Sequence, residues 1–231
     1  MYICILIGIA IFLFAFMTFA RRWHDYSILF TIAIGFAVNA NIYNSSTNPV
    51  YVGNIIFAID SILYVGFTFS VLICVKEYGM KQAIVLTTST IAAIIVSAAI
   101  ELFAHISSDG YNPIFLKAFF SYLFSALGTA IGISLMLFIF KLLDNKKLNI
   151  YVIFIICSIS ANIINTMVYY GFSVIVYGNI ENMGYILLGS YIGKIFSIGL
   201  GTIGYFINRN YWIPNDLKNK NIENINENIE E

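Results

Sequence analysis

Apolar residues fall in seven long runs, at 1–20, 26–43, 51–75, 83–104, 114–140, 150–177 and 185–207, with short polar gaps between them. A hydrocarbon core of ~30 Å is crossed by ~20 apolar residues of helix, and most of these runs supply that many or more. The pattern predicts an all-α, polytopic membrane bundle of about seven transmembrane helices over residues 1–207. A polar tail follows over 208–231, rich in Asn, Lys and Glu, in which Ile222, Ile225 and Ile229 can line one face of a short helix. A solvated, flexible cytoplasmic tail is the expectation there.

The gaps set the orientation. Arg21 and Arg22 fill the first, the second (Asn44 to Val50) carries no charge, and the third holds Lys76 and Lys81. His105 and Asp109 follow, then Lys141, Lys146 and Lys147, then Glu181 alone, and finally Arg209, Lys218 and Lys220 in the tail. With seven alternating helices, ten of the twelve basic residues share one side. Cytoplasmic loops retain Lys and Arg, so the N-terminus is expected outside and the C-terminus in the cytoplasm of a multi-pass protein of the cell (inner) membrane. The first run lacks a positive leader and exceeds a usual signal-peptide core, and Arg21 and Arg22 close it, so it reads as a retained helix.

Composition narrows the function. Hydrophobic residues make up 60% of the chain and charged residues 10%, against about a quarter charged in soluble domains. Little chain is left for a soluble catalytic domain. Twelve basic and twelve acidic residues cancel, so no basic field exists for nucleic acid. Cys4, Cys74 and Cys157 have no paired spacing and read as small buried hydrophobes. No GxxxxGK[ST] or HExxH motif occurs, and His24 and His105 fall on opposite membrane faces in this topology. Neither an enzyme, nor a metal site, nor a cofactor is expected.

Several runs carry polar or small residues at helical spacing. The second has Thr31, Gly35 and Asn39; the fourth Thr90, Ser97 and Glu101; the fifth Lys117, Ser121, Ser125, Gly128 and Gly132. The sixth has Ser158, Asn162, Asn165 and Thr166, and the seventh Gly189, Gly193, Ser197 and Gly201, with Lys194 near Ser190 and Ser197. Glycines four apart, as at Gly128/Gly132 or Gly189/Gly193, are first a device for close helix packing. The amides of Asn162 and Asn165 need partners in a dry interior, which either neighbouring helices or a polar cavity can provide.

Two charges lie deep. Asp60 is nine residues into the third run and Lys194 nine into the seventh, ~13 Å below the boundary at 1.5 Å per residue. A charge at that depth costs at least ~2.5–3.5 kcal/mol on insertion scales. Both are therefore expected to face the interior, paired with one another or bridged by a solute. Glu101 and Lys117 fall near the outer boundary, where a pair costs less.

Five stretches together resemble the vitamin-uptake or queuosine-precursor transporter family over about residues 35–207. They are Asn39-Ala-Asn41-Ile42, Gly53-Asn54-Ile55-Ile56-Phe57, Glu77-Tyr78-Gly79-Met80-Lys81-Gln82-Ala83, Ser160 to Thr166, and Ser190-Tyr191-Ile192-Gly193-Lys194. Leu72 and Lys76 stand where the family has acidic residues before Tyr-Gly, and Asn165 stands where it has an aspartate before Thr166. The resemblance implies a divergent importer whose cargo is a purine-like base, such as a 7-deazaguanine precursor of queuosine, with Lys194 at a matching position. Asn side chains suit the donor–acceptor edge of a base.

The expectation is thus a membrane transporter importing a small polar or aromatic solute, with Asn39, Asn54, Asp60, Asn162, Asn165 and Lys194 as its binding residues. Its partners would be the lipid bilayer, the solute, and an energy-coupling subunit or further copies of the chain. Both a gradient-driven carrier and the binding subunit of an ATP-driven importer suit the sequence. The alternative class is a membrane scaffold or sensor that does not transport.

Overall fold

The computed structural model describes residues 26–211, apart from 47–49, 53–54, 58–59, 110–112, 147 and 179–182. The element order is α1 (Tyr26–Ser46), β1 (Val50–Val52), β2 (Ile55–Phe57), α2 (Asp60–Glu77), α3 (Met80–Asp109), α4 (Pro113–Asp144), α5 (Ile150–Tyr177) and α6 (Met183–Tyr211). Among the described residues the fold is helical apart from that one hairpin. Four helical segments, Met80–Ala104, Phe119–Asp144, Ile150–Val176 and Met183–Phe206, are long and apolar enough to cross a membrane. The first apolar run lies outside the described residues, as does the tail beyond Tyr211.

The third apolar run departs from expectation. A helix from residue 51 is predicted, but β1 and β2 pair antiparallel, with Val52 opposite Ile55 and Val50 opposite Phe57, and α2 begins only at Asp60. The local sequence explains this. Val-Tyr-Val and Ile-Ile-Phe are β-branched and aromatic, and Gly53-Asn54 between them is a two-residue hairpin signal. Hydropathy does not distinguish such strands from helix. β2 packs against α6.

α2 is the axis of the bundle. Residues 62–75 are all buried, so the helix is apolar around its whole circumference because protein surrounds it on every side. Its 18 residues span only ~27 Å. Gly79, with φ of 91°, ends it in the left-handed conformation that favours glycine, and α3 starts one residue later. The outer helices instead expose Ile100, Phe103, Phe138, Ile175 and Ile195, large apolar side chains of the kind a lipid-facing surface carries.

Side-chain pairings fix the helix directions. Phe36 lies on Gly66 and Gly132 on Ala161 and Tyr64, Tyr122 near the start of α4 donates to Glu101 near the end of α3, and Phe140 and Tyr205 meet Phe154. α1, α3 and α5 therefore end at one face of the bundle, where α2, α4 and α6 begin. At the opposite face Lys76 of α2 reaches Asp144 of α4 at 3.5 Å. Both partners are well exposed, so this ion pair contributes little.

The tightest seam joins α4 to α5. A Cβ on Gly128 would lie 3.0 Å from the Asn165 carbonyl oxygen, and one on Gly132 only 2.8 Å from that of Ala161. The two backbones touch there because both positions lack side chains. Gly132→Ala should therefore destabilise the protein by about 1–3 kcal/mol through overpacking. Gly199→Ala, with nothing within 4 Å of the added atom, should be neutral or stabilise by up to ~1 kcal/mol. Thermal unfolding of the two purified variants in one detergent checks the contrast, and equal melting temperatures would refute it.

Candidate functional site

Five helices converge on one polar pocket, lined by Ala40 of α1, Tyr64 of α2, Ser125 of α4, Asn165, Thr166, Tyr169 and Tyr170 of α5, and Ser190 and Lys194 of α6. It encloses about 390 Å³ counting its open mouth, of which the centres of water molecules can occupy about 30 Å³. At ~10–15 Å³ per water centre, that holds two or three waters. Every lining residue lies in the half of its helix nearer the face where α1 and α5 end.

Lys194 is the charged member and is only 5% exposed. It sits eleven residues after Met183 and twelve before Phe206 in its apolar span, hence at mid-depth. Its Nζ donates to Thr166 Oγ1 at 2.6 Å and lies 5.3 Å from the centre of the Tyr64 ring, within cation–π range. Thr166 in turn donates to the Asn162 carbonyl at 2.8 Å. Its hydroxyl thus gives its proton to the backbone and keeps its lone pairs for the ammonium.

Asn165 points from α5 toward α4. Its Nδ2 is 3.5 Å from Thr129 Oγ1, and it packs over Gly128, so the glycine seam sets its position. The buried Tyr64 hydroxyl has no hydrogen-bond partner among the described residues, although Thr129 and Asn165 lie beside it. Tyr169 and Tyr170 cross edge to face, with ring centres 5.1 Å apart. The pocket thus combines an ammonium, an amide, hydroxyls and aromatic faces. Such a set has the chemistry to meet a small planar molecule bearing hydrogen-bond acceptors.

Of the six residues expected from sequence, Asn165 and Lys194 are brought together in this pocket. Asn162 is buried but is not a lining residue, and its Nδ2 donates to the Ser158 carbonyl at 2.7 Å. Asn39 is exposed, and its Nδ2 donates back to the Gly35 carbonyl of its own helix at 2.8 Å. Asn54 lies outside the described residues. Asp60 opens α2 rather than lying nine residues inside it, because the hairpin occupies the preceding segment. Asp60 is thus not the mid-helix charge expected, whereas Lys194 lies on a helix that begins close to its expected start.

Glu101 sits near the end of its apolar span and accepts a hydrogen bond from the buried Tyr122 hydroxyl. Sequence reasoning missed Tyr64, Tyr169 and Tyr170. Their signal was a tyrosine inside an apolar run, where a buried hydroxyl needs a polar neighbour. Among the described residues no cluster of three His, Cys, Asp or Glu side chains is placed to hold a metal ion. No protein-family model, curated protein or solved structure matches the chain.

Removing one partner of a buried charged hydrogen bond costs more than replacing both. Thr166→Val should destabilise by about 1–3 kcal/mol, while Thr166→Val combined with Lys194→Met should recover most of that loss. A double-mutant cycle on unfolding in detergent reads the coupling, and strictly additive effects would show that the contact carries none.

Proposed function

We propose that the protein is a membrane importer of a small polar or aromatic solute and that the Lys194 pocket is its binding site. The observation that supports this reading most is a buried ammonium at mid-span, opening onto hydroxyls, an amide and tyrosine rings. A charge at that depth costs at least ~2.5–3.5 kcal/mol on insertion scales, which a bundle with a purely structural role can avoid by carrying an apolar residue there. Transporters place their polar binding groups near the midplane, between helices that can rock apart.

Orientation follows from charge. The helix ends opposite the pocket carry Lys76, Lys81, Lys141, Lys146 and Arg209. With basic segments in the cytoplasm, the pocket lies in the outer half of the membrane, where an importer first meets its cargo. With the run at 1–20 crossing once more, the N-terminus is outside and the tail inside. A cell-membrane location fits that arrangement.

The resemblance to the vitamin-uptake or queuosine-precursor transporters supports a purine-like base as cargo, and the lining chemistry is compatible with one. A tyrosine face stacks on a planar ring, Asn165 pairs with a donor–acceptor edge, and Lys194 meets a ring carbonyl. Space for two or three waters is too little for a bicyclic base. The conformation is therefore nearly closed, and α6 has to move from α2 and α5 to admit the solute.

Uptake of labelled 7-deazaguanine-type bases into cells that lack their own importer, with queuosine in tRNA as the second readout, tests the reading. Wild type should restore uptake, and Lys194→Gln should lower it by at least about tenfold, a loss of ~1.4 kcal/mol, at equal amounts in the membrane. Absence of uptake by wild-type protein present in the membrane would overturn it. For orientation, a fluorescent protein fused after Tyr211 should be bright, and alkaline phosphatase fused there should be inactive.

A further inference from the structure

Below the pocket, α5 carries a stripe of which the binding site uses only the first residue. Thr166, Asn162, Ser158 and Phe154 follow one another at intervals of four residues, winding slowly around the helix. None is more than 2% exposed. Thr166 belongs to the pocket, where it holds Lys194. The next two side chains each have a buried oxygen without a hydrogen-bond partner among the described residues, Asn162 Oδ1 and Ser158 Oγ.

Ser158 is unusual in this bundle. Hydroxyls in membrane helices ordinarily satisfy themselves by donating to the carbonyl four residues back, and the buried Thr87, Thr90, Thr166, Ser173 and Ser197 all do so. Ser158 does not. Asn162 turns its Nδ2 to the Ser158 carbonyl, which leaves Oδ1 as a bare acceptor one turn above the Ser158 hydroxyl. A buried polar atom without a partner costs about 1–3 kcal/mol. Two on adjacent turns of one helix face mark a place where a small hydrogen-bonding molecule belongs.

Phe154 forms the floor of this stripe. Its ring meets Phe69 of α2 at 6.1 Å, Phe140 of α4 at 6.4 Å and Tyr205 of α6 at 4.7 Å between centres. Three helices thus close around it near the basic end of α5. Ser158 and Asn162 lie between this aromatic layer and the Lys194 pocket.

We propose that Asn162 and Ser158 form a second, inner polar site that holds water and admits other small hydrogen-bond donors, with Phe154 as its barrier toward the basic face. This rests on the reading of the Lys194 pocket as a solute site, of which it is the inward continuation. Water here gives the solute a polar path for the next ~6–12 Å along α5, where lipid or packed aliphatic side chains would offer none. Asn162 Oδ1 contributes an acceptor and Ser158 Oγ contributes either role. The site therefore favours molecules or solute edges that present N–H or O–H groups.

Thiol chemistry tests this, because a cysteine reacts with silver ion or 2-aminoethyl methanethiosulfonate only where water reaches it. In full-length protein with Cys4, Cys74 and Cys157 replaced by alanine, single cysteines are placed at Ser158, Asn162, Ser190 and Ile159. Ser158→Cys is nearly isosteric, so it reports even if Asn162→Cys fails to fold. Cysteines at 158 and 162 should react at least about tenfold faster than one at the exposed, apolar position 159. Phe154→Ala should speed their reaction several-fold when reagent is supplied from the basic face.

A cysteine at 158 that is as inert as one at 159, with and without Phe154→Ala, would overturn the inner site. So would equal reactivity at 158 and 159, which would mean that the helix is generally wet. Reaction at 158 with none at 190 would support the inner site while removing the Lys194 pocket as its entrance.

Discussion

In hydrocarbon a polar atom has no water to fall back on, so each one must find its partner inside the protein. That constraint governs the whole arrangement. It explains why α2, buried through residues 62–75, is enclosed by other helices while apolar side chains of α3, α5 and α6 face outward. It also explains why so many hydroxyls are spent on carbonyls of their own helices. Lys194 shows the same constraint at its sharpest. Its ammonium is supported by a threonine oxygen and a tyrosine ring from two different helices, so the charge holds α2, α5 and α6 in one relationship.

The glycine seam between α4 and α5 acts on the site from the other side. Gly128 and Gly132 bring the two backbones into contact, and that contact aims Asn165 at Thr129 and Tyr64. α5 therefore serves two interfaces at once. Its Ala161 and Asn165 face the glycines, while Asn162 and Thr166, each one position on, belong to the stripe that meets α6. The one-residue offset is a rotation of 100° around the helix, enough to place neighbouring residues in different environments.

Much of this was legible in the chain because the lipid solvent imposes a length and a hydropathy on each helix. The runs at 26–43 and 150–177 correspond closely to α1 and α5. The depth of Lys194 was legible for the same reason. The hairpin before α2 was hidden, since Val-Tyr-Val and Ile-Ile-Phe are as apolar as any helix, and only Gly53-Asn54 marked the turn. That single boundary carried the error at Asp60, because a depth counted from the wrong start is wrong by the same number of residues. Asn39 shows a different limit. Its spacing with Thr31 and Gly35 was real, but spacing gives a face without saying whether that face looks inward. Tyr64 was missed because its signal is a single hydroxyl in an apolar run, with no period to say which neighbours it meets.

The two interfaces of α5 differ in what they permit. Between α4 and α5 the contact is backbone against glycine, which has no side chain to rearrange, so any sliding opens a void or a clash. Between α5 and α6 the contacts run through long side chains, Lys194 to Thr166 and Tyr205 to Phe154, which have rotamers to exchange. Motion that opens the pocket is therefore easier along the α5–α6 boundary than along the glycine seam. Asn165 then travels with α4 and Lys194 with α6, and in the importer we propose the separation between them is what a solute would sense. A binding site divided in this way couples occupancy to helix position, since a molecule touching both groups stabilises only the arrangement in which both reach it.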